Sequence, residues 1–298
     1  MFILPIWYFY KHIKNGVIII YILKNFFPIA IIIIITLFSG CDKKDMLSIH
    51  IIDVGQGDSI LIKTPSNKKI LIDAGTDESE YIVKSYLKKE KVKYLDFVIA
   101  THPDSDHIGG LDYIINNFNV EKLYMPKQST NSTSYNNLIN ACNSNSLDIK
   151  YLQKGDTINI DNLTDIYVLS PSYIQNENNL NSIVFNLSYK NKSFLFTGDC
   201  EKENENEIIN SFNLRDVDFL KVAHHGSSSS SSPNFIKEAS PDVAVISCGY
   251  KNQYGHPHKS TLDTLSKNNI LTYRTDLNGD MVFYSDGNTI STKKEYIK

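Results

Sequence analysis

The sequence has few cysteines and no surplus of basic charge. Cys142, Cys200 and Cys248 form no CxxC pair, so they give no thiolate metal site or redox motif, and we expect small buried hydrophobic residues. Three lysines and no acidic residue precede residue 42, which leaves 27 basic and 33 acidic residues in the rest of the chain. That balance of −6 argues against a domain that grips duplex nucleic acid by charge alone.

Residues 1–45 are predicted to be an export and anchoring segment. Ile29–Phe38 is strongly apolar, a lysine precedes it, and small residues separate it from Cys41. This order is typical of a secretory signal, and its end resembles a bacterial lipobox, in which Cys41 is lipidated and becomes the first mature residue. The alternative is an uncleaved span over residues 17–38, since about 20 apolar residues cross a bilayer. Both place a folded domain, residues 46–298, outside the cytoplasmic membrane, because the N-terminal lysines stay inside.

After this segment the chain alternates predicted strands and helices without an internal repeat. Strands are predicted over Leu47–Val54, Ser59–Lys63, Lys69–Ile72, Tyr94–Ala100, Ile183–Tyr189, Ser193–Thr197, Phe219–Ala223, Val243–Ser247 and Met281–Ser285, and helices over Glu80–Lys91 and Ile108–Phe118. The polar stretch 127–165 gives no clear pattern. Strands grouped with intervening helices predict a layered α/β sandwich.

Potential metal ligands crowd the loop after the predicted strand that ends at Ala100. His102, Asp104, Asp106 and His107 fall within six residues. A loop can fold such a cluster around a cation, because imidazole and carboxylate are both donors. The alternative is a surface loop in which Asp106 caps the next helix, but that role does not require two histidines and two aspartates.

Three later apolar strands also lead to polar residues. They are followed by Asp199, by the pair His224 and His225, and by the run 255–258, which contains His256 and His258. These clusters and the earlier loop hold six of the eight histidines. Because loops at one end of a layered sheet meet in space, the pattern predicts a single metal centre. It does not decide between His224 and His225, or between His256 and His258.

The serine run 227–232 has two interpretations. Ser232 and Pro233 are typical of an N-cap and a first helical residue, and the free N–H groups of such a helix start attract anions. On this interpretation Ser227 contacts a substrate phosphate. On the alternative, the run is a flexible spacer.

The order of these motifs, LIDAG, THPDSDH, FTGD and late histidines, resembles the metallo-β-lactamase superfamily. The segments IDVGQGDSILI, LKVAHHGS and YGHPH are similar to those of the extracellular domain of ComEC-type competence proteins, and the resemblance covers about residues 48–287. It implies a four-layer αββα sandwich with two metal ions at one edge of the sheets and a buried Asp73 that orders the site loops. The implied ligands are His102, Asp104, Asp106, His107, Asp199, which bridges the two ions, and His256.

Two positions depart from the superfamily pattern. Asp104 stands where the superfamily has a histidine, and Asn181 or Ser182 stands near the place of another. These departures leave one ion weakly held unless His225 contributes. Oxygen ligands suit Mn²⁺ and imidazole suits Zn²⁺, so the expected cofactor is a divalent ion of either kind.

Together these residues predict a metal-dependent hydrolase in which a metal-activated water attacks the substrate. Asp106 and His225 are the predicted catalytic residues, with Asp199 as a second candidate for orienting the water. The resemblance implies phosphodiester substrates, including single-stranded DNA. The alternatives are a choline-phosphate esterase that acts on cell-wall polymer and a metal-binding module without turnover. A β-lactamase is disfavoured by Asp104.

Overall fold

The computed structural model describes residues 46–215 and 217–292, which belong to one compact unit. The predicted signal and anchor, residues 1–45 with Cys41, lie outside the described residues. Within the described ranges, no helix combines the length and the apolar character needed to cross a membrane.

The described residues form strands and helices in alternation, with the following bounds. The strands are β1 (Leu47–Ile51), β2 (Ile60–Lys63), β3 (Lys69–Ile72), β4 (Tyr94–Leu95), β5 (Phe97–Ile99), β6 (Asn119–Val120), β7 (Lys122–Met125), β8 (Asp148–Tyr151), β9 (Thr157–Asp161), β10 (Thr164–Ser170), β11 (Val184–Tyr189), β12 (Lys192–Phe196), β13 (Phe219–Lys221), β14 (Val243–Ile246), β15 (Leu271–Arg274), β16 (Met281–Ser285) and β17 (Ile290–Thr292). The helices are α1 (Glu80–Lys89), α2 (Ser105–Ile108), α3 (Leu111–Asn117), α4 (Thr133–Ser144), α5 (Lys202–Ser211), α6 (Pro233–Ala239), α7 (Lys259–Lys267) and α8 (Thr275–Asn278).

Two large sheets form the centre of the molecule. The first has the strand order β17-β16-β1-β2-β3-β5-β7-β8 and the second β15-β14-β13-β12-β11-β10-β9, while β4 and β6 pair separately. Strands β3, β5, β7 and β8 run parallel, as do β12 to β15 and the separate pair of β4 and β6, and the remaining pairs are antiparallel.

Alternating side chains divide among three apolar cores. On β12, Phe194 and Phe196 face the core between the two sheets, whereas Leu195 faces a core with helices α5 to α7. On β3, Ile72 faces the core between the sheets and Leu71 packs toward the helices on the other side. Because side chains alternate with period two along a strand, both sheets are covered on both faces. The layers are helix, sheet, sheet and helix, which confirms the predicted αββα sandwich.

Two predicted elements are interrupted in the structure. The strand predicted over Tyr94–Ala100 splits at Asp96, whose carboxylate accepts hydrogen bonds from the Lys69 N–H and the Lys68 ammonium, each at 2.8 Å. The helix predicted over Ile108–Phe118 breaks into α2 and α3 at Gly109 and Gly110, where the chain passes close to neighbouring backbone. A Cβ on Gly110 would lie 2.5 Å from the Ala74 carbonyl oxygen.

The carboxyl ends of the parallel strands supply the loops at one edge. Asp73 follows β3, the loop 101–107 follows β5, Asp199 lies just past β12, and a short 3₁₀ helix, Ala223–Gly226, follows β13. Ligands in open α/β sheets commonly bind at such carboxyl ends. The fold therefore gathers the predicted site loops at this edge.

Candidate metal centre

Asp73 fixes the loop that follows β5. Its backbone is left-handed, with φ of 54°, and its side chain is fully buried. One oxygen accepts the Thr101 N–H at 2.8 Å, and the other accepts the Thr101 hydroxyl at 2.7 Å and the His107 Nδ1–H at 2.8 Å. The imidazole of His107 therefore presents Nε2 to the site. Asp73 therefore contacts both ends of the loop 101–107, and its role in ordering a metal site stays a prediction.

His102 and Asp104 form one half of the site. The Thr101 hydroxyl donates to Asp73, so it accepts from His102 Nδ1, which lies 3.1 Å away. His102 Nε2 is buried, has no hydrogen-bond partner and lies 3.6 Å from Asp104 Oδ2. The other oxygen of Asp104 accepts a hydrogen bond from the Asn178 amide at 2.5 Å.

Asp106, His107, Asp199 and His225 form the other half. His107 Nε2 faces Asp199 Oδ1 at 3.2 Å, and neither atom has a hydrogen-bond partner. His225 Nε2 lies 3.1 Å from Asp106 Oδ2 and 3.4 Å from Asp199 Oδ2. The two oxygens of Asp199 thus face different imidazoles, and the bridging role of Asp199 stays a prediction.

The two adjacent histidines after β13 occupy different environments. Both have left-handed backbones, with φ of 49° for His224 and 53° for His225. His225 is buried in the centre, whereas His224 is partly exposed and lies 3.8 Å from Asp199 Oδ2 and 3.0 Å from the Ser229 hydroxyl. Non-glycine residues in this conformation cluster at functional sites. The geometry therefore favours His225 as the ligand and puts His224 at the rim.

His256 lies beside the centre rather than among its carboxylates. Its ring is 5.6 Å from that of His224 and 6.2 Å from that of His225, and the exposed Tyr254 stacks on it at 5.7 Å. In the part of the chain that the structure describes, His256 forms no ion pair with an aspartate. His258 instead accepts the Ser228 N–H at 2.9 Å. A ligand role for His256 stays a prediction.

The serine run is an ordered segment. Ser232 caps α6 by accepting the Phe235 N–H, and Pro233 is the first helical residue, which confirms the predicted helix start. The buried Glu205 carboxylate accepts the N–H groups of Ser231 and Ser232, just before the helix, and a substrate anion at the N–H groups of the helix itself stays a prediction.

The predicted substrate contact, Ser227, is largely buried. Its hydroxyl contacts the Ser229 hydroxyl at 3.1 Å, and its carbonyl accepts from Thr261. Through Ser229 this hydroxyl chain reaches His224. The substrate role of Ser227 stays a prediction.

The buried imidazoles and carboxylates of the metal-free centre shift one another's pKa values. Burial alone would lower the pKa of His107 and His225, but the carboxylates around them raise the first well above its ordinary value and the second to about 10. Burial raises the pKa of Asp106 and Asp199, but the neighbouring imidazoles lower the first to about 2 and hold the second well below its usual range. In the metal-free protein, these pKa shifts favour protonated His107 and His225 beside ionised Asp106 and Asp199.

The arrangement of the imidazoles and carboxylates also fits a bound divalent cation. His102, His107 and His225 each donate Nδ1–H to a hydroxyl, a carboxylate or a carbonyl, which is the outer hydrogen bond typical of metal-bound histidines. The buried Nε2 atoms of His102 and His107 and Oδ1 of Asp199 have no partner within the protein. Buried polar atoms are normally hydrogen-bonded, so these unpaired atoms mark positions that a bound ion would satisfy.

Two residues at the centre were not predicted from the sequence. Asp58 belongs to a group, with His107, Asp199 and His225, whose potential ligand atoms all lie within 4.8 Å of one another. Lys221 is paired with Asp58 at 2.7 Å. The available signal for Lys221 was a single charged residue inside the apolar strand Phe219–Ala223. In the sequence, Asp58 belongs to a Gly-Gln-Gly-Asp turn, and such turns are common in loops without a metal site.

Comparison with known proteins finds similarity to the same superfamily. A model of the metallo-beta-lactamase superfamily matches residues 52–133. The chain is 33% identical over 267 residues to ComE operon protein 3 of Bacillus subtilis, a match that covers 83% of this chain and 34% of that protein. It is 29% identical over 235 residues to competence protein ComA of Neisseria gonorrhoeae, covering 78% of this chain and 31% of the relative. The chain therefore spans about a third of the length of these relatives.

A solved structure shows the same fold. The metallo-beta-lactamase fold protein YhfI from Bacillus subtilis superposes with a TM-score of 0.54 at 15% identity, over 81% of this chain and all of that protein (100%). At this identity the likeness concerns the fold. The chemistry must be argued from the site itself.

Proposed function

We propose that the chain hydrolyses phosphodiesters at the candidate metal centre on the edge of its two sheets. The chain is similar to the metallo-β-lactamase superfamily and to ComEC-type competence proteins, which supports a metal-dependent hydrolase. The observation that carries the proposal is the set of buried, unpaired atoms on His102, His107 and Asp199 that converge there. Single-stranded DNA is the proposed natural class of substrate.

The residues divide into two sets of ligands. His102 and Asp104 would hold one divalent ion, and Asp106, His107 and His225 the other, with Asp199 between them. A divalent ion bound here supplies an acidified water and charge for the phosphate oxygens. Oxygen atoms from three carboxylates suit Mn²⁺, while the imidazoles also suit Zn²⁺.

The chain's own groups orient the nucleophile. The side chain of Asp106 is 29% exposed, whereas that of Asp199 is 4% exposed. Its low pKa keeps Asp106 ionised at neutral pH. Asp106 is therefore the carboxylate that can accept a hydrogen bond from a water and pass its proton toward solvent. His225 Nε2 lies 3.1 Å from Asp106 Oδ2 in the metal-free site, so both side chains would reach the same ion, which would then fix the direction of that hydrogen bond.

The alternative substrate, a choline phosphate, has one observation in its favour. The exposed Tyr254 stacks on His256, Tyr250 is also exposed in the same loop, and aromatic faces bind quaternary ammonium groups. The Lys251 ammonium, however, lies 5.2 Å from the centre of the Tyr250 ring. A cation at that face repels the quaternary ammonium of choline, so Tyr250 does not favour a choline ester.

A substrate comparison tests the proposal. The full chain, purified in detergent and loaded with Mn²⁺ or Zn²⁺, is assayed on bis-p-nitrophenyl phosphate, p-nitrophenyl phosphorylcholine and single-stranded DNA. We expect hydrolysis of bis-p-nitrophenyl phosphate and of single-stranded DNA. Protein stripped of metal with a chelator is the inactive control. Preference for the phosphorylcholine ester would favour the esterase. Metal binding without turnover of any of them would favour a binding module.

Ser227 is proposed to reach the substrate through its hydroxyl chain to His224. Ser227→Ala should then raise KM without changing metal content. Ser266→Ala, on α7, is the control. Unchanged kinetics in Ser227→Ala would assign the serine run to loop structure alone.

A further inference from the structure

A buried ion pair lies directly behind His225. Lys221 Nζ is 2.7 Å from Asp58 Oδ2, and the two side chains are 1% and 3% exposed. Lys221 ends β13 in the second sheet, whereas Asp58 lies in the turn that precedes β2 in the first sheet. The pair therefore joins the two halves of the sandwich at the site edge.

The second oxygen of Asp58 faces the back of the imidazole. Asp58 Oδ1 is 3.5 Å from His225 Nδ1, and this ring nitrogen donates to the Ser247 carbonyl at 3.0 Å. The opposite nitrogen, Nε2, faces Asp106 and Asp199. Acceptors around one ring nitrogen fix both the orientation of a histidine and the nitrogen left for a metal.

The Lys221 ammonium limits the ability of Asp58 to bind a metal ion. Asp58 lies close enough to the other acidic and imidazole groups to be a fourth ligand. The buried ammonium at 2.7 Å instead neutralises its charge, and the Val222 carbonyl, at 3.1 Å, helps to hold that ammonium in place. A metal ion would have to compete with this cation for Asp58.

We propose that the Asp58–Lys221 pair is a positioning device for His225: the negative charge of Asp58 behind Nδ1 favours the imidazole that carries a proton on this nitrogen and presents Nε2 to the site, and Lys221 keeps Asp58 out of the ligand set. The proposal rests on the proposed function in one respect, that His225 binds a metal ion. It assigns a role to the VGQGD turn and to the lysine of LKVAHHG that the metal ligands alone do not explain.

The test compares Asp58→Asn, Lys221→Met and the double variant in the full chain purified in detergent. Each is titrated with Mn²⁺ and with Zn²⁺ alone, and its melting temperature is measured without metal. Each single variant leaves one buried charge unpaired, so both should melt at lower temperature than the wild type. The double variant removes both charges and should recover much of that loss.

Metal affinity should follow a different pattern. We expect the double variant to bind metal about 10–100-fold more weakly than the wild type, as is typical when the outer partner of a ligand is lost. Wild-type affinity in the double variant would overturn the proposal and leave the pair a purely structural one. Tighter binding by Lys221→Met than by the wild type would support the role assigned to Lys221, because Asp58 released from the ammonium could then join the ligands.

A second ion pair on the same sheet provides the control. Lys192 Nζ lies 2.5 Å from Asp218 Oδ1. Both residues are at the amino-terminal ends of β12 and β13, whereas the metal centre is at the carboxyl ends. Lys192→Met with Asp218→Asn should leave metal affinity unchanged.

A readout without metal separates this proposal from the proposed function. In the metal-free protein, the ¹⁵N signals of the His225 imidazole should change in Asp58→Asn and in the double variant but not in the control pair. Changed signals together with a wild type that binds no metal would refute the metal centre and leave the positioning of His225 in place. Unchanged His225 signals would refute the positioning role itself.

Discussion

Asp199 is the side chain on which the centre depends most. Its two oxygens face His107 and His225, and one of them has no hydrogen-bond partner. Loss of a residue that hydrogen-bonds to a metal ligand typically weakens metal binding about 10–100-fold. Asp199→Ala removes a predicted ligand itself, so it should weaken binding by more than this, and activity should fall with it. Asp199→Asn should keep some metal with little turnover, because it retains the shape but not the charge.

Titration of Mn²⁺ and Zn²⁺, with circular dichroism to verify folding, measures these effects. Asp165→Ala, an exposed aspartate on β10 of the same sheet, is the control and should behave as the wild type. Normal metal binding and rate in Asp199→Ala would mean that Gly198 and Asp199 form a simple turn.

The buried imidazoles make the metal-free protein sensitive to pH. His107 and His225 have pKa values raised above the ordinary 6.5, that of His225 to about 10. A histidine whose pKa is raised by folding stabilises the folded state below the ordinary pKa and loses that contribution as pH rises through the raised one. The melting temperature of the metal-free protein should therefore fall between pH 6.5 and about 10.

The loaded protein should behave differently, because a metal ion replaces the protons on these nitrogens. Binding should release protons at pH 7, which calorimetry in buffers of different ionisation enthalpy detects. Absence of proton release, or a metal-free melting temperature that is flat over this range, would show that the imidazoles are neutral without metal.

Single residues show what a sequence pattern can and cannot reveal about this site. The spacing of His102, Asp104, Asp106 and His107 and the strand ends before Asp199 and His225 identify loops that do meet in the structure. Asp58 and Lys221 could not be found in this way, because their pairing spans 163 positions and depends on how the two sheets are stacked.

The turn that contains Gly57 is the element that braces the ligand loop. The Asp58 N–H donates to the Asp106 carbonyl at 3.1 Å, and a Cβ on Gly57 would lie 2.3 Å from that carbonyl oxygen. Gly57→Ala should therefore displace Asp106 and weaken metal binding about 10–100-fold. It should also lower stability, since its φ of 132° disfavours a side chain.

Gly55→Ala is the matched control for this turn. Gly55 also has a positive φ, 76°, but a Cβ there meets nothing within 4 Å. It should cost about 1–2 kcal/mol of stability from backbone strain and leave metal affinity unchanged. Equal loss of affinity in the two variants would mean that backbone strain, and not contact with Asp106, disturbs the site.

Elements with strong apolar patterns were predictable from sequence, and those defined by tertiary contacts were not. Strands β3 and β16 have the predicted bounds, because apolar residues dominate both. Helix α4 was missed because asparagine and serine obscure its few buried positions, among them Leu138 and Cys142. The interruption at Asp96 depends on backbone contacts from a neighbouring strand, which local sequence does not encode.

At the scale of the whole molecule, attachment to the outer face of the membrane is a proposal based on the sequence around Cys41. Cells fed a fatty-acid probe should label the wild-type chain, and Cys41→Ala should lose the label because no thiol remains at the lipobox position. Cys142→Ala, a buried thiol, is the control and should label normally. Equal labelling of wild type and Cys41→Ala would favour the uncleaved span over residues 17–38.

The whole fold serves to bring the ends of two sheets together around one centre, and metal binding there is the central claim. Crystals of the full chain grown with Mn²⁺ or Zn²⁺ and measured at the absorption edge of each metal would locate the ions directly. We predict two anomalous peaks, one beside His102 and Asp104 and one among Asp106, His107 and His225, both within about 2.0–2.3 Å of their ligand atoms. No peak at these positions, or an ion bound to Asp58 in place of Lys221, would contradict the account.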